Sequence, residues 1–293
     1  MPITEYQKEQ RKRYIGSSDA AAVMGLDPYR NPSDVYLEKV QDLEDAELSE
    51  AAEIGQVLED SILDWCAKER GISIVRNQFR VHDNGIMSAN FDALVKGNIA
   101  EAIECKTAGI LTPFDRDEWG EVGTDEIPTR YIIQIQHQMA ILPELQTTWV
   151  PVLLGGVGLR MYRVERNAEM IRFLEEVLPE FWSKHVTKKC QPVDPPPTME
   201  VLKRIRRVPS KSVPIDGALV AGWQAAKKIA KDAADAEELS KRAVLAALGD
   251  AEEGVFDGGR ITYMETHRKG FVAKDTTFRT LRFKEDKVHA KAS

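Results

Sequence analysis

Cysteine is scarce in this sequence, and the thiols it has are far apart. The three cysteines are Cys66, Cys105 and Cys190, and no two of them form a CxxC pair, which excludes a CxxC zinc or redox site. Their odd number argues against a disulfide framework. No stretch approaches the roughly 20 apolar residues that cross a bilayer. The N-terminal residues also lack the apolar run of a signal peptide. We therefore expect a cytoplasmic protein with no membrane partner.

An excess of positive charge is also absent. The 47 acidic residues outnumber the 40 lysines and arginines, which gives a formal net charge of −7. The surface as a whole would repel a polyanion, so contact with nucleic acid requires a local basic patch or bound cations. An acidic cluster that holds a divalent metal would still attract phosphate once loaded. The net charge therefore neither supports nor excludes nucleic-acid binding.

The hydrophobic pattern predicts an α/β fold in most of the chain. Helical periodicity, often with capping residues, marks the segments 17–24, 32–40, 49–69, 128–142 and 168–188. Short β-branched and apolar runs mark the strands 72–81, 87–95, 102–107, 147–154 and 159–164. This alternation of helix and sheet indicates an α/β core.

A proline run at Pro192–Pro197 predicts the end of the core domain. We expect a first domain at 1–191 and a Pro-rich, basic linker at 192–214. An accessory region at 215–293 would contain a helix over 217–250 and strands at 260–265 and 278–283 beside a Gly258-Gly259 turn.

Two carboxylates and a lysine are predicted to share one face of a hairpin. Glu104 and Lys106 are two residues apart on a strand, so their side chains point to the same side. Folding about Gly97-Asn98 brings Asp92 opposite residue 103 or 104, with Cβ atoms about 5 Å apart. A Glu-x-Lys tripeptide alone is most often a solvated face, but the alternating residues here are apolar. Partly buried carboxylates need a partner or a metal, and Mg²⁺ prefers such hard oxygen ligands. This predicts metal-assisted phosphodiester hydrolysis.

Four ordered motifs resemble a known family. They are RKRYIGSSDAAAVMGLDPYRNPSDVYLEKV, GQVLEDSILDW, the Asp92 to Glu104-Cys105-Lys106 hairpin, and YIIQIQHQMAI. Together they resemble the YqaJ-type viral recombinase group of PD-(D/E)XK nucleases, which includes lambda exonuclease, over roughly Arg11 to Val164. Phe91 stands where the motif's name has proline. The resemblance implies a restriction-endonuclease-like α/β (α+β) core, in which a mixed central sheet is flanked by helices. The helix and hairpin predicted after the linker would form a C-terminal helix-plus-hairpin accessory region, which the shortest family members lack.

The resemblance also implies residue roles. Asp92, Glu104 and the Cys105 carbonyl match the metal ligands of the family. On its helix, Glu59 is also compatible with a plain surface carboxylate. The residues that match the catalytic set are Glu59, Asp92, Glu104, Lys106 and Gln134.

A pocket for a terminal 5′ phosphate is expected near the N-terminus. Arg11 or Arg13, with Ser18 at a helix N-terminus, offers a guanidinium fork and free N–H groups. A charged tail with an ordinary helix start is the alternative. Tyr131 lies on the same helical face as Gln134 and is assigned to DNA contact, and His137 is left open between a structural role and phosphate contact.

These patterns lead to one expected function and two alternatives. The resemblance implies a Mg²⁺-dependent exonuclease, with Mn²⁺ as substitute, that degrades linear duplex DNA from a 5′ end and leaves 3′ single strand for recombination. A phage-type endonuclease and a non-catalytic DNA-binding or assembly protein remain open. Three unclustered cysteines exclude the iron–sulfur variant of such nucleases. Duplex DNA ends are the expected partner. Relatives work beside a single-strand annealing protein and form a homotrimer, which the sequence leaves open here.

Overall fold

The structure is a computed structural model that describes residues 5–111 and 116–267. It divides into two units, Met1–Pro209 and Ser210–Ser293. Helices of the first unit are α1 (Glu5–Arg13), α2 (Ser17–Val23), α3 (Pro32–Val40), α4 (Glu50–Arg70), α5 (Thr129–Ile141), α6 (Ala168–Phe181) and α7 (Met199–Arg204), with a π-helical turn at Trp182–Thr187 after α6. Its strands are β1 (Ile15–Gly16), β2 (Ile74–Val81), β3 (Met87–Val95), β4 (Glu101–Ile103), β5 (Lys106–Ala108), β6 (Thr147–Leu154) and β7 (Gly158–Glu165).

The strands of the first unit form one mixed sheet. Strand β3 pairs antiparallel with β2 on one edge, and on the other edge it pairs with β4 (antiparallel) and β1 (parallel). Strands β4 and β5 both run parallel to β6, and β7 pairs antiparallel with the opposite edge of β6. Helices cover the sheet, so the prediction of a mixed central sheet flanked by helices is confirmed.

Two apolar clusters lie on the two faces of this sheet. The larger one joins α2, α5 and α6 to the sheet, with Ala20, Ile133, Leu174 and Val150 among its buried members. The smaller one joins α4 to the other face through Leu63, Cys66, Ala93 and Ile103. Because strand side chains alternate between faces, placing Ala93 and Ile103 toward α4 directs their neighbours Asp92 and Glu104 toward α5.

The predicted strand 102–107 is broken in the structure, and that part of the prediction is wrong. It forms β4 and β5, which are separated by Glu104-Cys105 and keep one register along β6. The Glu104 N–H donates to the Trp149 carbonyl at 2.9 Å. The next bond of a parallel ladder would run from the N–H of residue 151 to the Glu104 carbonyl, but Pro151 has no N–H. The ladder is therefore interrupted at the residue that carries the predicted catalytic carboxylate.

The Pro-rich segment predicted as a linker lies against α3. The Ser33 hydroxyl donates to the Pro195 carbonyl at 2.8 Å, and the Thr198 N–H donates to Asp34 Oδ1 at 2.7 Å. Leu43 and Ile205 form an isolated antiparallel bridge. These contacts hold residues 192–205 against α3 and the segment that follows it. Two of them also satisfy polar groups in the first turn of α3. The free part of the predicted linker is consequently shorter than 192–214, while the outer domain limits stay predictions.

The second unit contains the predicted accessory helix and a hairpin. Helix α8 (Gly217–Leu248) has no buried residue, and β8 (Glu253–Phe256) pairs antiparallel with β9 (Gly259–Thr262). The strand predicted at 260–265 is thus β9, and its partner is β8. The strand predicted at 278–283 lies outside the described residues. Across 5–111 and 116–267, no helix has the length and apolar character of a membrane span.

A buried histidine makes the α2–α5 contact sensitive to acid. His137 is fully buried and its Nδ1 lies 3.1 Å from the Ser17 hydroxyl. Burial lowers the pKa of His137 to about 3, so the imidazole stays neutral in the fold but is protonated in the unfolded chain below about pH 6.5. We expect the free energy of unfolding to fall by about 2 kcal/mol between pH 7 and pH 5 from this residue alone.

The contribution of His137 is isolated by a variant. His137→Asn keeps a hydrogen-bonding group near Ser17 and cannot titrate, so its urea unfolding free energy should depend less on pH across the same interval. Equal pH slopes for the two proteins would show that His137 is not the responsible group.

Candidate active site

The β3–β4 hairpin brings Asp92 and Glu104 together. Ala93 pairs with Ile103, so the register continues with Asp92 opposite Glu104, as predicted. The Cys105 N–H donates to Asp92 Oδ2 at 2.8 Å. The Glu104 N–H faces β6, so the next N–H along the chain faces β3, and backbone pairing between β3 and β4 ends at Ile103. The Cys105 N–H is therefore available to the Asp92 side chain, which it holds beside Glu104.

Glu104 lies at the centre of the site and is 3% exposed. Its Oε1 accepts from Lys106 Nζ and from Gln134 Nε2, both at 2.5 Å. Its Oε2 accepts from Gln138 Nε2 at 2.7 Å. A buried carboxylate is stable only when it is paired and hydrogen-bonded, and these donors meet that requirement from one strand and one helix.

Gln138 is missing from the site residues predicted by the sequence. It lies four residues after Gln134 on α5, so both amides project from the same helical face. The spacing was visible in the sequence, but only the position of Glu104 beneath α5 shows that both glutamines reach one carboxylate. Gln138 is 1% exposed and therefore acts from inside the protein.

The charges of the site are unevenly balanced. Burial raises the pKa of Asp92 well above its usual value, and the neighbouring charge of Glu104 raises it further. Burial lowers the pKa of Lys106, but Glu104 and Asp92 outweigh this and hold the pKa above its usual value. Lys106 is therefore an ammonium ion at neutral pH. It can neutralise developing negative charge but cannot accept a proton.

Helix α4 brings Glu59 near this cluster. The Glu59 carbonyl lies 3.9 Å from Cys105 Sγ, so this turn of α4 sits on the strand break. Gly55 permits the approach, since a Cβ there would lie 3.2 Å from the Thr107 hydroxyl. Burial raises the pKa of Glu59, and the negative charge of Glu104 raises it further. The two carboxylates are therefore close enough to interact electrostatically.

The predicted DNA-contacting residues fall in two places. Tyr131 is beside the cluster, with Lys106 Nζ 4.9 Å from its ring centroid. Arg11, Arg13 and Ser18 are exposed, and Ser18 lies in the first turn of α2, which begins after Gly16. Within the described part of the chain, these three side chains make no hydrogen bond or ion pair with Asp92 or Glu104.

A buried ion pair anchors the segment that carries Arg11. Lys39 Nζ donates to the Arg11 carbonyl and to Asp19 Oδ2, each at 2.6 Å, and the Lys39 side chain is 2% exposed. Burial raises the pKa of Asp19, but Lys39 and Arg30 outweigh it and hold the pKa well below the usual value. The end of α1 is thus fixed to α2 and α3. His137 is buried beneath this region, so the open choice for His137 resolves to a structural role.

The oxygen atoms around Asp92 and Glu104 are candidate ligands for a divalent metal. Across the described ranges, no group of three or more His, Cys, Asp or Glu side chains forms a metal site. Asp92 and Glu104 are nevertheless carboxylates on directly opposed residues, and Cys105, whose carbonyl is the third expected ligand, follows Glu104 in the chain. Burial, and then the negative charge of Glu104, raises the pKa of Asp92, so its ionised form is unstable without a nearby cation. Hard oxygens with uncompensated negative charge fit Mg²⁺, which keeps several waters and needs few protein ligands.

Comparison with known proteins gives a family match. Residues 6–148 match the family described as the YqaJ-like viral recombinase domain. The protein YqaJ of Bacillus subtilis (strain 168) is 32% identical over 181 residues, which are 60% of this chain and 54% of that protein. The chain thus spans about half the length of this curated relative. These matches confirm the family resemblance that the motifs indicated.

Solved structures share the fold. The alkaline exonuclease LHK-Exo from Laribacter hongkongensis superimposes with a TM-score of 0.51 and 18% identity, covering 64% of this chain and 94% of that one. The same enzyme in complex with dAMP gives a TM-score of 0.52 and 19% identity over the same shares. At this identity the likeness concerns the fold, which agrees with the restriction-endonuclease-like core that was expected.

Replacing the unbalanced carboxylate should stabilise the metal-free protein. Asp92→Asn keeps an oxygen that can accept from the Cys105 N–H and removes the charge that burial and Glu104 disfavour. Because the folded pKa lies above the unfolded one, this cost grows as pH rises. At pH 8 in EDTA we expect the unfolding free energy of the variant to rise by more than the roughly 0.5 kcal/mol typical of a change at an exposed site, and the gain to shrink toward pH 4. The readout is chemical denaturation.

Asp83→Asn is a matched control, since Asp83 is exposed in a turn of the same hairpin region and should change stability by less than about 0.5 kcal/mol. No gain in Asp92→Asn at pH 8 would mean that Asp92 is already compensated.

Gln138 is expected to contribute to stability through Glu104. Gln138→Leu removes the donor to Glu104 Oε2, which costs about 2 kcal/mol for a hydrogen bond to a buried charge. The Gln138 Oε1 is buried without a partner among the described residues, so its removal offsets part of that cost. We expect a net loss of about 1 kcal/mol in urea denaturation. Gln146→Leu, at an exposed position, should be nearly neutral, and equal effects of the two changes would contradict the assignment.

Proposed function

We propose that the protein is a metal-dependent exonuclease that degrades one strand of linear duplex DNA from a 5′ end. The observation that carries the proposal is the buried Glu104 carboxylate, held by Lys106 and two glutamines directly opposite Asp92. The polarity and the 3′ single-stranded product rest on the family resemblance. The fold shared with an alkaline exonuclease supports the reaction class.

Asp92, Glu104 and the Cys105 carbonyl would hold Mg²⁺, with Mn²⁺ as a substitute. A divalent ion at this position supplies Lewis-acid activation of the phosphodiester and of water. Lys106 is positioned to neutralise charge on the phosphoryl oxygens, because its ammonium is fixed by Glu104. Gln134 and Gln138 keep the Glu104 carboxylate in one orientation. Glu59 would approach the same metal from α4.

Arg11, Arg13 and Ser18 would bind the terminal 5′ phosphate, and Tyr131 would contact the DNA beside Lys106. The fixed end of α1 supports this role, since the Arg11 backbone is held by Lys39 next to the start of α2. A single-strand annealing protein as partner and a homotrimeric assembly belong to the same proposal and come from the resemblance alone.

The test is a nuclease assay with a matched pair of lysine variants. Linear duplex DNA with a 5′ phosphate at one end is incubated with Mg²⁺, beside closed circular DNA. We expect loss of the phosphorylated strand only, and at least about a 100-fold slower rate for Lys106→Met, the size reported for removal of one charge-stabilising donor. Lys96→Met, at an exposed position on the same hairpin, should keep the wild-type rate.

The other outcomes assign other functions. Cleavage of the circle would indicate an endonuclease with the same active-site residues. Absence of hydrolysis with both Mg²⁺ and Mn²⁺ would indicate a DNA-binding or assembly protein. Loss of the unphosphorylated strand would reverse the proposed polarity.

A further inference from the structure

An exposed aromatic ring lies on the loop between α2 and α3. The Tyr29 residue is 57% exposed. Its backbone is fixed, since the N–H groups of Tyr29 and Arg30 both donate to Asp27 Oδ1, at 2.8 and 3.2 Å. The Arg30 guanidinium in turn pairs with the buried Asp19 at 2.9 Å. The ring is therefore presented to solvent from an ordered loop, which lowers the entropy cost of using it in binding.

A series of stacked contacts connects this ring to the catalytic lysine. The Arg130 guanidinium lies over the Tyr29 ring, 5.8 Å from its centroid, and over the Tyr131 ring, 4.6 Å from its centroid. Tyr131 then faces Lys106 Nζ at 4.9 Å. Aromatic and cationic groups thus alternate from the surface to the site. Each step is shorter than 6 Å, so Tyr29 lies within a few nucleotides of a phosphodiester held at Glu104.

Arg130 has its charge satisfied within the protein. It donates to Glu118 Oε2 at 2.8 Å, and its side chain is 11% exposed. The outer end of the series is consequently the flat, uncharged face of Tyr29. Such a face binds another π-system better than it binds phosphate.

We propose that the exposed ring of Tyr29 is a stacking subsite for a nucleobase of the DNA strand under hydrolysis. The proposal rests on the proposed nuclease function and adds the part of the substrate that this surface would contact. Every base has a π-face, so the subsite would be tolerant of sequence. Stacking would also contribute DNA affinity that does not depend on an excess of positive charge, which a protein of net charge −7 lacks.

The test measures DNA affinity for a graded set of variants. Fluorescence anisotropy with a fluorescein-labelled, 5′-phosphorylated linear duplex is run in Ca²⁺, and a gel verifies that the DNA stays intact. Tyr29→Phe and Tyr29→Trp should bind like the wild type, because they keep a flat ring. Tyr29→Leu, which keeps apolar bulk alone, should raise Kd about tenfold, within the range for one stacked base. Phe173→Ala, at an exposed aromatic of α6, is the control and should bind normally.

Two further readouts separate stacking from a general effect. In Mg²⁺, Tyr29→Leu should raise KM about tenfold and leave kcat within about twofold, since the ring touches no reacting atom. The extra emission of Tyr29→Trp over the wild type should be quenched when DNA is added. Thermal unfolding should be unchanged for Tyr29→Trp and Tyr29→Phe, which keep a ring against Arg130, and lowered only slightly for Tyr29→Leu, which loses this contact at a largely exposed position.

Two results would overturn the subsite. Wild-type affinity in Tyr29→Leu would show that the ring carries no binding energy, and weak binding by Tyr29→Phe would assign the effect to the hydroxyl group. The proposed function is tested separately. If the wild type hydrolyses DNA and Tyr29→Leu binds DNA normally, the subsite alone is rejected. If binding depends on Tyr29 but no hydrolysis occurs in Mg²⁺ or Mn²⁺, the nuclease function is rejected and the subsite stands.

Discussion

The burial of the Glu104 carboxylate is the constraint on which the rest of the site depends. A carboxylate at 3% exposure is unstable unless it receives several donors. Lys106 provides one from the same strand segment, and Gln134 and Gln138 provide the others from α5. The requirement fixes the rotation of α5 about its axis, because both amides must point at the sheet. It also explains why a helix packed against the core carries polar residues on its inner face.

Pro151 connects the sheet to the site. A proline in a strand that is paired on both edges normally argues against the strand, yet β6 contains one. Its missing N–H falls where the ladder would otherwise bond the Glu104 carbonyl, so β4 and β5 separate at that residue. The Cys105 N–H faces the opposite edge, toward β3, where it bonds Asp92. Pro151 therefore places the break in the sheet at the residue that carries the central carboxylate.

Local patterns allowed most elements and the central hairpin to be predicted from the sequence. The bounds of α3, β3 and β6 follow from capping, periodicity and β-branched content, and the Asp92 register follows from strand alternation. The features that the sequence did not predict depend on contacts between residues that are distant in the chain. The reach of Gln138 to Glu104, the strand break opposite Pro151 and the docking of Pro195 on Ser33 each join segments that no local pattern relates. Two local signals were visible, the spacing of Gln134 and Gln138 and the proline inside the predicted strand 147–154, but neither shows which distant residue it affects.

The charge balance of the site indicates the kind of ion that would complete it. Glu59, Asp92 and Glu104 are three carboxylates that influence one another, and Lys106 is the cation that faces them. With every group ionised, this local set has two more negative charges than positive ones. Glu104 is already satisfied by hydrogen bonds, so the excess is felt mainly at Asp92, where the pKa is raised most. A monovalent cation would leave part of this excess. A divalent cation bound by hard oxygens would cancel it, and this favours a metal-dependent reaction over one catalysed by Lys106 alone.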